Sequence, residues 1–205
     1  MNLKSRRPAL LPSRTHRFVR WSRCLLLTTG IFALAYVGLT LLDARLFQQS
    51  AKHSLETQIK MVKSTKVGQF RPIIQEEGIL GRIDIPRLGV SIAVLQGTGS
   101  RVLRLGAGHI EGTPLPGDAG NSGIAGHRDT FFRELRDIRR NDEIQLQTPT
   151  ALLHYVVDWV KVVDPNDTTV LEPSTAESTL TLVTCYPFQF LGSAPKRFVV
   201  HARKN

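Results

Sequence analysis

The first apolar feature of the chain is a block rather than a pattern. Cys24 to Leu42 (CLLLTTGIFALAYVGLTLL) is nineteen residues without a charge, and as a helix rising about 1.5 Å per residue it would reach roughly 28 Å, the thickness of a bilayer's hydrocarbon. The pattern predicts a membrane-spanning helix over 24–42. Beyond it, Asp43 to about Val67 is polar with scattered apolar positions (Leu46, Phe47, Leu55, Ile59) and no proline or glycine until Gly68. That predicts a juxtamembrane helix or stalk over 43–77.

From Gly78 the period shortens to two. Ile79–Ile85 and Val90–Leu95 alternate as strands around Pro86-Arg87-Leu88-Gly89, a hairpin connection. Ser100–Leu105 reads as one short helix before a break at Gly106-Ala107-Gly108, and Gly112–Asn121 as a loop. Ser122–Ala125 is a short buried strand running into Gly126-His127-Arg128-Asp129. Phe131, Phe132, Leu135 and Ile138 then recur at helical spacing, with Asp129 or Thr130 as a capping residue. Glu143–Gln147 and Leu152–Val163 read as strands, the second bent, with Tyr155, Val157 and Trp159 on one face. After a polar connection, Thr179–Cys185 and Arg197–Ala202 close the series. Seven or eight short strands with short connections predict an all-β closed barrel over 78–205 rather than a parallel sheet.

Charge sets topology. Residues 1–23 hold seven basic side chains and no acid, while Asp43 follows the apolar run at once, so the tail is expected in the cytoplasm and the barrel outside. A cleaved signal peptide is the rival, but the run is long for one and its only A-x-A (Ala33-Leu34-Ala35) lies inside the apolar stretch. Of the net charge of +10, +7 belongs to the tail; the remaining 20 basic and 17 acidic residues leave +3. No basic stripe remains for nucleic acid, which is excluded as a partner.

Candidate chemistry begins at Cys185. It ends a strand just before Pro187, which cannot donate to a ladder, so a thiol is delivered to a strand mouth. The other cysteine, Cys24, opens the apolar run, so a disulfide is not expected. Arg197 begins the next strand twelve residues later and His127 ends an earlier one. If these are barrel neighbours, a nucleophile, a general acid/base and an oxyanion or substrate stabiliser converge, a set suited to acyl transfer. His109 rivals His127, and Lys196 rivals Arg197; Cys185 alone also reads as a small buried hydrophobe. No Cys/His pair has metal-ligand spacing, and neither a metal nor a cofactor is expected.

Three motifs add a resemblance. Thr181-Leu182-Val183-Thr184-Cys185 resembles the TLxTC signature of sortases, Gly126-His127-Arg128 resembles their histidine motif, and Arg197 follows the cysteine as their arginine does. The match covers about Gly78 to Arg203 and is most like class D sortases. It implies an eight-stranded sortase barrel and a cysteine transpeptidase with Cys185 as nucleophile, His127 as general acid/base and Arg197 as stabiliser. Such enzymes cut an LPxTG-like sorting motif, hold the acyl part as a thioester and pass it to an amine of a cell-wall precursor or a pilin lysine. The resemblance also implies that the connection 164–178 borders the substrate groove. A cysteine peptidase or amidase using water, and a membrane-tethered binding module with an inert thiol, are the alternatives.

Overall fold

The computed structural model describes residues 14–64, 78–173, 177–190 and 192–205. Residues 1–13 of the expected tail and 65–77 of the expected stalk lie outside the described residues. The chain divides into two compact units, Met1–Asp43 and Ala44–Asn205. One helix, α1 (Arg14–Ser64), forms the described part of the first and supplies residues 44–64 to the second.

In the first unit the described apolar residues are largely exposed. Leu25, Phe32, Leu34 and Leu39 are each about two-thirds or more exposed. The helix is long and apolar enough to cross a membrane.

The second unit is a closed barrel of eight strands: β1 (Ile79–Ile85), β2 (Val90–Gln96), β3 (Ala107–His109), β4 (Gly120–Ala125), β5 (Glu143–Gln147), β6 (Leu152–Val163), β7 (Ser178–Tyr186) and β8 (Lys196–Lys204). Their order round the barrel is β1-β2-β3-β4-β7-β8-β6-β5. Alternate residues fill the interior, among them Ile83, Ile85, Ile92, Val94, Ile124, Leu146, Tyr155, Leu180, Leu182 and Val200. A short helix, α2 (Ser100–Leu105), links β2 to β3.

The all-β closed barrel follows the sequence pattern, with four local differences. The barrel is mixed, because β2–β3 and β4–β7 pair in parallel. Strand β3 lies where Gly106-Ala107-Gly108 read as a break. A Cβ on Gly108 would stand 2.2 Å from the Gly97 carbonyl oxygen, so glycine here permits close backbone approach rather than ending the strand. The Phe132–Ile138 segment forms a 3-10 helix over Arg133–Asp137, without a side-chain cap. Its buried residues Phe132, Leu135 and Ile138 recur every three positions, the 3-10 period.

The fourth difference is in β6. Tyr155 and Val157 face the core, but the register against β8 shifts between Val157 and Trp159. The bulge puts Val160 against the core instead, and Trp159 stacks on His201 with ring centroids 4.8 Å apart and planes within 2°.

Within the second unit, residues 44–64 of α1 pack through Ala51 and Leu55, both buried. The Gln48 side-chain amide donates to the Leu105 carbonyl (2.5 Å) and accepts from the Ala93 N–H (2.9 Å). Gly106 makes room, since a Cβ there would meet the Ala93 carbonyl oxygen at 2.5 Å.

Candidate active site

The parallel pairing of β4 with β7 organises the site. Ala125 lies opposite Val183, and the ladder continues one step as the Gly126 N–H donates to the Val183 carbonyl (3.1 Å). Two residues beyond each partner come His127 and Cys185, so both leave the paired strands at the same end. In the antiparallel β7–β8 pair, Cys185 stands directly opposite Arg197. Three segments far apart in sequence therefore bring a thiol, an imidazole and a guanidinium to one end of the barrel.

Side-chain alternation separates reagent from support along β7. Leu180 and Leu182 point inward to the core, and Thr184 continues that series, 2% exposed. Cys185 takes the other face and is half-buried. The Thr184 hydroxyl donates to the Gly126 carbonyl at 2.7 Å, fixing the peptide just before His127. Gly126 admits no side chain: a Cβ would lie 2.6 Å from the Phe132 ring. The Gly-His and Thr-Cys pairs are thus two halves of one joint, in which a buried threonine on the cysteine strand holds the turn that carries the histidine.

His127 is exposed, and its ring has no hydrogen-bond partner among the described residues. The half-buried Arg197 donates from Nη1 to the carbonyls of Lys196 (3.0 Å) and Ala194 (3.3 Å). Both bonds use one terminal nitrogen, so the guanidinium's remaining N–H groups are available for a substrate oxygen.

The rivals are accounted for elsewhere. His109 is 2% exposed, with Nδ1 3.1 Å from Gln96 Oε1 and Nε2 2.9 Å from the Pro114 carbonyl and 3.1 Å from Thr113 Oγ1. Lys196 pairs with Asp164 at 2.6 Å, and as the strand neighbour of Arg197 it points to the opposite face. Cys24 and Cys185 are both free thiols. Among the described residues, no group of three or more His, Cys, Asp or Glu is placed to hold a metal ion.

A wall rises beside the β4–β7 surface. The 3-10 turn Thr169–Leu171, in the connection from β6 to β7, is pinned as Asn121 Nδ2 donates to the carbonyls of Val170 (3.0 Å) and Glu172 (3.3 Å). Thr181 Oγ1 donates to Asn121 Oδ1 at 2.7 Å. Leu171 and Ile110 close over Gly123, where a Cβ would meet them at 2.9 and 3.1 Å. The result is an apolar border on a polar-backed floor that leads along β4 and β7 toward Cys185.

Asn121, Thr184 and Arg128 did not stand out as single residues in the sequence. Thr184 had one usable signal: it occupies an inward position in an otherwise apolar alternation, where a hydroxyl needs a designated partner.

The sortase domain model matches residues 83–205, which span β1 to the end of the barrel. The chain belongs to the sortase family. It is 29% identical to sortase D of Bacillus subtilis (strain 168) over 166 residues, covering 80% of this chain and 82% of that one. A solved Clostridium perfringens sortase D5 transpeptidase superposes with a TM-score of 0.63 at 28% identity, covering 78% of this chain and 97% of that one. Clostridium perfringens sortase C, solved with the C-terminal cell wall sorting motif, gives a TM-score of 0.60 at 25% identity, covering 77% of this chain and 88% of that one. Sortases are cysteine transpeptidases, and the chain is an enzyme of that class.

Proposed function

We propose that the protein is a membrane-anchored sortase that cleaves an LPxTG-like sorting motif, holds the acyl fragment as a thioester on Cys185 and transfers it to an amine of the cell envelope. The observation that carries this reading is the register: Cys185 opposite Arg197, with His127 leaving β4 at the same end.

The Cys185 thiolate attacks the threonine carbonyl carbon of the motif, forming the C–S bond and placing charge on the carbonyl oxygen. Arg197 donates N–H bonds to that oxygen or to the adjacent substrate backbone. As the tetrahedral species collapses, the C–N bond breaks and protonated His127 gives its proton to the leaving amine. In the second half, neutral His127 takes a proton from the incoming amine as its nitrogen attacks the thioester. The C–N bond forms, the C–S bond breaks, and the thiolate and imidazolium return. The Asn121-backed wall with Leu171 and Ile110 suits an extended peptide with an apolar residue upstream of the cut.

The apolar helix over 24–42 serves as the anchor, with the basic tail in the cytoplasm and residues 43–205 outside. Substrates are proteins with a C-terminal sorting signal; the acceptor is a cell-wall precursor amine or a pilin lysine.

The test is intact mass spectrometry of the full chain in detergent with LPxTG-like peptides. Wild type should gain the mass of the acyl fragment, Cys185→Ala should not, and added amines should release the acyl group as an amide. An adduct that survives in Cys185→Ala would refute the assignment of the nucleophile. Release only as the acid, whatever amine is present, would favour a peptidase. A reporter fused after Asn205 that is active in the cytoplasm would overturn the topology.

A further inference from the structure

The residue after His127 makes an unusual set of bonds. Arg128 donates from Nη1 to the Pro187 carbonyl (3.0 Å) and from Nη2 to the carbonyls of Phe190 (2.7 Å) and Gly192 (3.1 Å). Its guanidinium carbon also lies 5.8 Å from the Phe190 ring centroid. No carboxylate pairs with it among the described residues. All three acceptors belong to one segment, the loop that leaves β7 just after Cys185 and enters β8 just before Arg197.

We propose that Arg128 is a positioning residue that cinches the β7–β8 loop onto the exit of β4, and so fixes Cys185, His127 and Arg197 relative to one another. This rests on the reading of those three residues given above. The physical argument has two parts. A loop between two adjacent antiparallel strands is tied chiefly near its ends, and β8 reaches this one there, through Phe198 on the Phe188 ring (centroids 5.1 Å apart) and Arg197 on the Ala194 carbonyl, whereas Arg128 holds the stretch between. A guanidinium is planar and rigid, so three N–H bonds from its two terminal nitrogens hold carbonyls spread over residues 187–192 in one arrangement. The other end of the tether is a single peptide from His127, whose preceding carbonyl is held by Thr184. The loop, the histidine turn and the cysteine strand thus form a closed mechanical circuit: Cys185 to Thr184, Thr184 to Gly126, His127 to Arg128, and Arg128 back to the loop.

The geometry also says what will not substitute. A lysine keeps the charge but has one nitrogen, which cannot reach three divergent carbonyls at once. Phe190 contributes a ring contact, whereas the carbonyls are backbone and survive its truncation.

The experiment uses the full chain in detergent with three variants, Arg128→Lys, Arg128→Ala and Phe190→Ala. It measures the rate of peptide-adduct formation against peptide concentration, the alkylation rate of Cys185 by iodoacetamide, and amide hydrogen exchange. Both Arg128 variants should lower the maximal acylation rate roughly 10- to 100-fold, as expected when reacting groups lose alignment by about an ångström. The peptide concentration giving half that rate should change by less than about twofold. Exchange should accelerate in residues 188–194 and stay unchanged in β1 and β2. Phe190→Ala should stay within about threefold of wild type, the scale of a lost exposed cation–π contact. Arg128→Lys acylating at the wild-type rate, or loop exchange unaltered in that variant, would overturn the proposal. If no peptide acylates the wild type, the parent reading has failed instead; loop exchange and Cys185 alkylation then decide on Arg128, and no change in either for Arg128→Lys overturns the clasp.

Discussion

Two histidines sit at opposite ends of the short β3–β4 pairing, and their surroundings differ in every respect that matters. His109, at the end of β3, is buried, and oxygen atoms lie within hydrogen-bond distance of both its ring nitrogens. His127, just beyond β4, is exposed, and its ring has no such partner among the described residues. One imidazole is consumed in joining Gln96 to the turn at Thr113 and Pro114; the other retains both nitrogens for an incoming molecule. The difference teaches that catalytic capacity is a matter of unspent hydrogen-bonding potential at a place where strands deliver other reagents. Residue type and nearness to a glycine loop are shared by both.

The most severe way to break the contrast is to remove the thiol proposed as the partner of His127. Cys185→Ala should abolish acyl-enzyme formation with no change in the thermal unfolding midpoint beyond about a degree, since a half-exposed thiol contributes little packing. Next comes the imidazole itself. His127→Ala should slow acyl transfer by about 10²- to 10⁴-fold, the usual contribution of a positioned acid/base, and leave stability nearly untouched. Stopped assays and calorimetry on one preparation would check both halves.

His109→Ala sharpens the comparison from the other side. It strands buried polar partners, so it should cost about 1–3 kcal/mol of stability, while the protein that remains folded keeps acyl transfer within a few-fold of wild type. If His109→Ala proved as inactive as His127→Ala at a temperature where it is fully folded, the division of labour would collapse.

The smallest expected effect concerns a third histidine, intermediate between the two. His201 is largely covered, and Asp158 Oδ2 stands 3.9 Å from its Nδ1. Among the described residues that Nδ1 stays unpartnered, and burial pushes the pKa below the ordinary histidine value, partly opposed by Asp158 and assisted by Lys161. As pH falls through about 6.5 the unfolded chain takes up this proton first, so the folded state loses stability from there down to the lower folded value and keeps it above. His201→Phe preserves the stack on Trp159 and removes the titration. Between pH 7.5 and 5.5 it should lose less stability than wild type, by under about 1 kcal/mol, as read from urea midpoints.

Much of this was legible in the chain because period-2 alternation is a local signal. β1 has the span its sequence indicates, α2 likewise, and the cysteine strand departs by one residue at each end. The candidate site was named from three residues and their order, since strand ends and prolines mark where side chains emerge, and the register brings their strand ends together. What could not be read was non-local. The parallel β4–β7 register joins residues nearly sixty positions apart, and no periodicity announces it. The β6 bulge moves Trp159 off the core face by inserting one residue into a pattern that looks continuous. Arg128 looked like a charged neighbour of a motif because its acceptors are backbone carbonyls, which every sequence offers everywhere.

The docking of Gln48 has a consequence for how the domain must be handled. The Ala93 N–H in β2 and the Leu105 carbonyl at the end of α2 are a donor and an acceptor satisfied by one side chain of α1, on which Ala51 and Leu55 are buried as well. Cutting the chain after Ser64 would leave that N–H and that carbonyl without Gln48 and strip the cover that Ala51 and Leu55 provide. Residues 44–64 therefore keep that surface covered, and a soluble version of this enzyme should retain them.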